Sequence, residues 1–156
     1  MNHWLFKTEP NVFSIDDLLK SGESFWDGVR NYQARNYLRD SVQFGDLVLV
    51  YHSNAKPVGV AGLGSISETS SPDPTQFDTG SRYFDSKSKK EKPIWFGVKV
   101  KFLEKFPKIL TLASLKKNPE LNDMLVIRKG IMLSIQPVKP NEFEIILQMA
   151  KLGIEF

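Results

Sequence analysis

Two histidines, three spaced aspartates and one arginine-rich aromatic stretch are the places in this sequence where chemistry could reside. His52 stands beside Ser53 in YHSN, but adjacent strand residues face opposite ways, so the two cannot form a nucleophile–base pair directly. Asp16 and Asp17 follow Ser14 at the start of an apolar-periodic run, where carboxylates cap a helix rather than move protons. Asp73, Asp78 and Asp85 lack the spacing and central glycine of a calcium loop, so no metal is expected. GVAGLG, residues 59–64, lies inside a strand pattern and not at a strand-to-helix turn. With no P-loop and no dinucleotide fingerprint either, no cofactor is expected. The chain has no cysteine, which removes disulfides, thiol nucleophiles and thiolate metal sites and fits a reducing interior.

The stretch FWDGVRNYQARNYLR, Phe25 to Arg39, is different. After Trp26 and Gly28 it carries Arg30, Arg35 and Arg39, Asn31 and Asn36, and Tyr32 and Tyr37. Flat rings, fork-shaped cations and amide side chains so close together suit a ligand that is both flat and anionic. The net charge of +3 and pI near 9.0 permit a local phosphate footprint and fall short of a protein that coats nucleic acid.

The elements that must position these groups follow from the pattern. HWLFKTEP reads as a first strand ending at Pro10. Residues 14–21 form a helix with a capping box at Ser14 and Asp17 and a stop at Gly22. A second helix covers 31–39, and strands follow at GDLVLVYHS and at VGVAGLGSISE, whose interior glycines imply bending or a closely approached backbone. Residues 70–93 make a long polar loop of the kind that serves as a lid or binding loop. IWFGVKVKF alternates as a strand, with Ile94, Phe96, Val98, Val100 and Phe102 opposite Lys99 and Lys101. LASLKKNPEL is a short helix and IMLSIQPV another strand. The last helix covers 141–151, with Phe143, Ile146, Leu147 and Ala150 as its stripe and Gly153 as its stop. The 156 residues suggest a single domain, residues 1–156, of class α+β: a small, strongly bent β-sheet or barrel with helices packed around it. No apolar run approaches a membrane span and residues 1–10 lack a signal-peptide plan, so a cytoplasmic monomer is expected, or a nuclear one in a eukaryote.

Whole phrases of the chain, in order, carry a family likeness: WLFKTEPNVFSIDDL, WDGVRNYQARNYLR, GDLVLVYHSN, SPDPTQFD, YFD, IWFGVKV and LSIQPV. Together they resemble the EVE domain across essentially the whole chain. Met132 departs from the family pattern, which has an arginine before LSIQPV. The resemblance implies a PUA-like fold, a bent β-barrel decorated with helices, related in architecture to the YTH and ASCH domains. It implies a non-catalytic module that accommodates a modified nucleobase, a modified cytosine above all, in DNA or RNA carrying that base. An ASCH-like nucleoside hydrolase and a protein-interaction module are the alternatives.

By similarity to the YTH arrangement, Trp26 forms a wall of the base pocket and is expected to stand partly exposed beside Asn31 and Ser53. A base lifted from its stack needs such a ring to replace its lost neighbours, worth roughly 1–3 kcal/mol. Asn31 and the backbone at Gly28 and Val29 would read the base edge, with Lys7, Ser53 and Asn54 completing the pocket. Arg30 and Arg35 are the candidate phosphate contacts, expected around one concavity with Lys7. Phe77, Tyr83 and Phe84 are candidate lid residues, and the run KSKKEK beside them would touch the phosphate backbone.

Overall fold

The structure, a computed structural model, describes residues 1–152. Six strands form one mixed sheet in the order β2-β5-β4-β3-β1-β6. They are β1 (His3–Thr8), β2 (Glu23–Phe25), β3 (Leu47–His52), β4 (Gly59–Pro72), β5 (Phe96–Thr111) and β6 (Ile135–Val138). β1 runs parallel to β3, and every other pairing is antiparallel. Four α-helices accompany the sheet: α1 (Ile15–Ser21), α2 (Tyr32–Asn36), α3 (Leu112–Lys117) and α4 (Pro140–Leu152). The α+β class is as expected. The sheet is not closed, however: β2 and β6 are its two edges.

Both faces of this sheet are covered, which is why its central strands read as continuous apolar runs. Trp4 and Phe6 of β1 and Val48 and Val50 of β3 point into one core, with Ile15 and Leu18 of α1, Ala34 of α2, and Leu38. Leu5, Leu49 and Tyr51 point the other way, against Leu115 of α3 and Phe143, Ile146 and Met149 of α4. The β4–β5 ladder slips register between Val60 and Gly62, Leu63 and Gly64, and twice more toward Ser71. Such irregularities bend a strand. They let β5 give Val98 and Val100 to the first core and Phe106 and Leu110 to the second. Gly62 shows why β4 is rich in glycine: a Cβ there would strike the Glu104 backbone and come within 2.9 Å of Ile15 Cδ1.

Several elements differ from expectation, among them β2, which was not expected, and β6, which is shorter than IMLSIQPV. β5 continues nine residues beyond Phe102, through Pro107, because that proline falls in the gap of the ladder between Lys105 and Leu110 and so displaces no paired donor. The helix expected over 31–39 is one short α-helix followed by a wide π-type turn, Tyr37–Ser41. Residues 70–72 extend β4, so the long loop is shorter. The expected stop of α4 at Gly153 lies outside the described residues. Among the described residues, no helix is long and apolar enough to cross a membrane.

The capping box of α1 forms as its sequence dictates. Ser14 Oγ accepts from the Asp17 N–H at 3.1 Å, Asp17 Oδ2 accepts from the Ser14 N–H at 2.9 Å, and Gly22 ends the helix at φ 78°. A third partner comes from β3: His52 Nε2 accepts the Ile15 N–H at 3.1 Å. Only a neutral imidazole can accept there, and burial lowers the His52 pKa, with Asp16 opposing and Lys105 reinforcing the shift. Because the folded pKa lies below the ordinary 6.5, the unfolded chain binds the proton first and stability falls as pH drops below about 6.5. Melting temperatures between pH 8 and pH 5 should show this decline. His52→Gln, which keeps an acceptor, should flatten it; an unchanged slope would remove His52 as its cause.

Candidate functional site

A cleft of about 780 Å3 opens where the end of β1, the stretch 24–31 and the loop after β4 converge. Lys7, Trp26, Gly28, Val29, Asn31 and Ser53 line it, with Arg30 and Tyr83. Asn54, Arg35, Phe77 and Phe84 do not line it.

Trp26 is a wall, but a buried one. It is 7% exposed, correcting the expectation of a partly open ring. Its indole packs 5.5 Å from Phe6 and edge-on to Phe13 at 5.9 Å, and the Trp26 backbone N–H donates to the Val98 carbonyl at 2.8 Å. The ring therefore belongs to the first core and shows the cleft only a margin.

Beneath the cleft lies a polar knot. Asp73, fully buried, accepts from the Gly28 N–H at 2.8 Å, the Thr75 N–H at 2.8 Å, the Thr75 hydroxyl at 2.6 Å and Arg30 Nη1 at 3.0 Å. Burial alone would raise its pKa, yet these donors, Thr75 foremost, hold it below the ordinary carboxylate value. Arg30 engages all its guanidinium N–H groups, on Asp73, Thr75 Oγ1, the Val29 carbonyl and, twice, the Tyr83 carbonyl. Arg30 is thus a strut joining two segments 43 residues apart, not the phosphate contact expected of it. Gly28 is needed here twice over. Its φ is 78°, and a Cβ would lie 2.6 Å from the Tyr83 ring. With the Gly28 N–H on Asp73 and the Val29 carbonyl on Arg30, these two backbone groups are not free to read a base edge.

Arg35 is on a neighbouring surface. Its guanidinium lies 4.9 Å over the Tyr32 ring and donates to the Ile94 carbonyl at 2.9 Å. The expected concavity of Lys7, Arg30 and Arg35 is therefore corrected: Arg82, exposed and 4.9 Å over the Tyr83 ring, shares the rim with Lys7 instead. Asn54 donates to Glu9 at 3.3 Å. The loop carrying Phe77 and Phe84 is fixed rather than free to close. Buried Gln76 bonds Ile94 and both the N–H and the carbonyl of Trp95, and Asp85 accepts from Trp95 Nε1 at 2.8 Å. Tyr83, packed over Gly28, is part of the cleft wall.

What remains free in the cleft is informative. Lys7 makes no ion pair among the described residues; it lies 5.9 Å from the Tyr51 ring, and burial lowers its pKa. Asn31 uses Oδ1 to cap α2 through the Ala34 N–H at 3.0 Å, leaving its amide N–H2 available. Ser53 donates its backbone N–H to Thr8 at 2.9 Å and keeps its hydroxyl. Asp27 was missed in the sequence, although an acidic residue set between a tryptophan and a glycine in an otherwise basic stretch was a usable signal. Burial first, and then the neighbouring Asp73 charge, raise its pKa, with Arg30 opposing. Donors and acceptors of both signs thus surround an aromatic wall. His52 Nε2 is occupied by Ile15, and among the described residues no three acidic or histidine side chains gather as a metal site would need.

Comparisons with known proteins show the family and its fold. Human thymocyte nuclear protein 1 is 38% identical over 168 residues, covering 95% of this chain and 73% of that protein. The crystal structure of human THYN1 protein in complex with 5-methylcytosine containing DNA superposes with a TM-score of 0.89 at 38% identity, covering 97% of this chain and 98% of that one. A crystal structure of a Pseudomonas syringae protein gives 0.92 at 42% identity, covering 95% and 99%. Residues 2–149 match the EVE domain, and the chain belongs to the EVE domain family.

Proposed function

We propose that this chain is a non-catalytic reader of modified cytosine in nucleic acid, taking the base into the cleft beside Trp26. The observation that carries the proposal is the set of unengaged polar groups (Lys7, Asp27, the Asn31 amide and the Ser53 hydroxyl) around one aromatic wall. The human relative crystallised with 5-methylcytosine DNA shares this fold. A cleft of about 780 Å3 has room for a whole nucleotide. Its rim cations, Lys7 and Arg82, suit the flanking phosphates. One copy of the chain, acting as one domain, supplies every group named.

Equilibrium binding to matched oligonucleotides carrying 5-methylcytosine, cytosine or an abasic site tests this. Burying one methyl group is worth about 0.8 kcal/mol, so a roughly fourfold preference for the methylated base is expected, with the abasic strand weakest. Equal affinity for all three would sink the proposal. Arg82→Ala should weaken binding to all oligonucleotides alike and lower the salt slope by about 1, as loss of a phosphate contact does. A loss confined to the methylated strand would instead give Arg82 a role at the base.

A further inference from the structure

Asp27 reaches the cleft from between Trp26 and Gly28, and its carboxyl makes no ion pair and no hydrogen bond to another residue among the described residues. The charged and titratable groups around it are Asp73 and Arg30 below, Lys7 and Glu9 at the end of β1, and Arg82 and Tyr83 on the loop. Arg30 is paired with Asp73, so its charge only partly offsets the repulsion between Asp73 and Asp27.

Cytosine presents an N4 amino donor and the N3 acceptor side by side. A carboxylate matches the first, as acidic side chains do when they read cytosine, but its second oxygen would oppose the N3 lone pair. One proton between that oxygen and N3 turns the clash into a second hydrogen bond. We propose that Asp27 grips the Watson–Crick edge of the bound cytosine, accepting from the N4 amino group and sharing one proton with ring N3, so that binding takes up a proton. The inference rests on the cytosine-reader proposal above. Partial burial and the Asp73 charge, which raise the Asp27 pKa with Arg30 opposing, favour the protonated pair although the residue stays open to the cleft.

The sign of the linkage is fixed. Above the pKa of Asp27 in the free protein, each binding event must collect a proton, so affinity falls as pH rises, approaching about tenfold per pH unit. The test is the dissociation constant of a 5-methylcytosine oligonucleotide between pH 6 and pH 8 at constant ionic strength, with the abasic strand as control. The wild type should weaken with pH on the methylated strand only. Asp27→Asn, whose amide supplies an N–H to N3 and a carbonyl to N4 without any proton, should bind with a flat profile. Asp27→Ala should lose most of the affinity at every pH. Melting curves check that both variants fold, and the 13C shift of the wild-type Asp27 carboxyl in the complex at pH 6 should report a protonated group.

Base discrimination with a pH profile unchanged by Asp27→Asn, or with no slope in the wild type, would overturn the proton-sharing role alone. Abasic and methylated strands binding equally would instead overturn the cytosine-reader proposal, and the role of Asp27 with it.

Discussion

Trp26→Ala is expected to abolish oligonucleotide discrimination and to destabilise the fold by about 3–5 kcal/mol, the usual cost of emptying a large aromatic core site. At 7% exposure, with Phe6 and Phe13 against its ring, the indole cannot be removed without leaving a cavity that its neighbours fill only in part. For a chain of this size each kcal/mol moves the melting temperature by about 2–4 °C, so a fall of roughly 6–20 °C should be seen by calorimetry. Trp26→Phe separates the two consequences. It keeps most of the packing while shrinking the margin offered to a base, so binding should fall further than stability. An unchanged melting temperature for Trp26→Ala would place the ring outside the core, against the packing described.

Arg30→Ala is expected to be comparably severe although no hydrophobic contact is its target. It leaves Asp73, whose side chain is 0% exposed, as a buried carboxylate short of its cation, and breaking such a pair from one side costs about 3–5 kcal/mol. The 22% exposure of Arg30 lets water compensate in part and points to the lower end. Arg30→Lys should rescue little, since a single ammonium cannot reach Asp73, Thr75 and the Val29 and Tyr83 carbonyls together. Adding Asp73→Asn to Arg30→Ala should recover part of the loss, because the charge that needed the cation is gone. A double variant no more stable than Arg30→Ala would show that Asp73 does not depend on Arg30. The lowered Asp73 pKa adds a further signature. Its contribution is present above the unfolded value of 3.8 and is lost as pH falls below it.

The parts of the fold legible in the sequence are those set by near neighbours. Ser14, Asp17 and Gly22 lie within one short helix and dictate its ends, and the alternation of Trp4, Leu5 and Phe6 follows from the strand period alone. β2 was invisible because three residues, Glu23–Phe25, become a strand only by pairing with Lys99–Lys101 of β5. The family likeness brought out part of the cleft lining, yet it could not say how each side chain is used. Whether an arginine faces a phosphate or a buried carboxylate depends on Asp73, 43 residues away from Arg30, and local pattern carries no trace of that distance. The burial of Trp26 was hidden for the same reason, since Phe6 reaches it from β1 and Phe13 from the turn before α1.

The parallel pairing of β1 with β3 and the antiparallel pairing of β1 with β6 place the first strand of the described residues between β3 and β6. His3 lies opposite Val138, so one flank of β1 has no hydrogen-bonding partner until some 130 residues later have been synthesised. Until then an apolar strand presents an open backbone edge, the kind of surface that recruits other chains. Closing so distant a pair is slow, because the intervening loop must lose its freedom before the contact rewards it. Shielding by chaperones during synthesis is therefore expected to matter more for this chain than its modest size suggests. Refolding of a variant with Gln136→Pro, which removes a backbone N–H from β6 opposite Leu5, should be slower and more prone to aggregation in stopped-flow light scattering. Unchanged kinetics would mean that β1 is protected before β6 arrives.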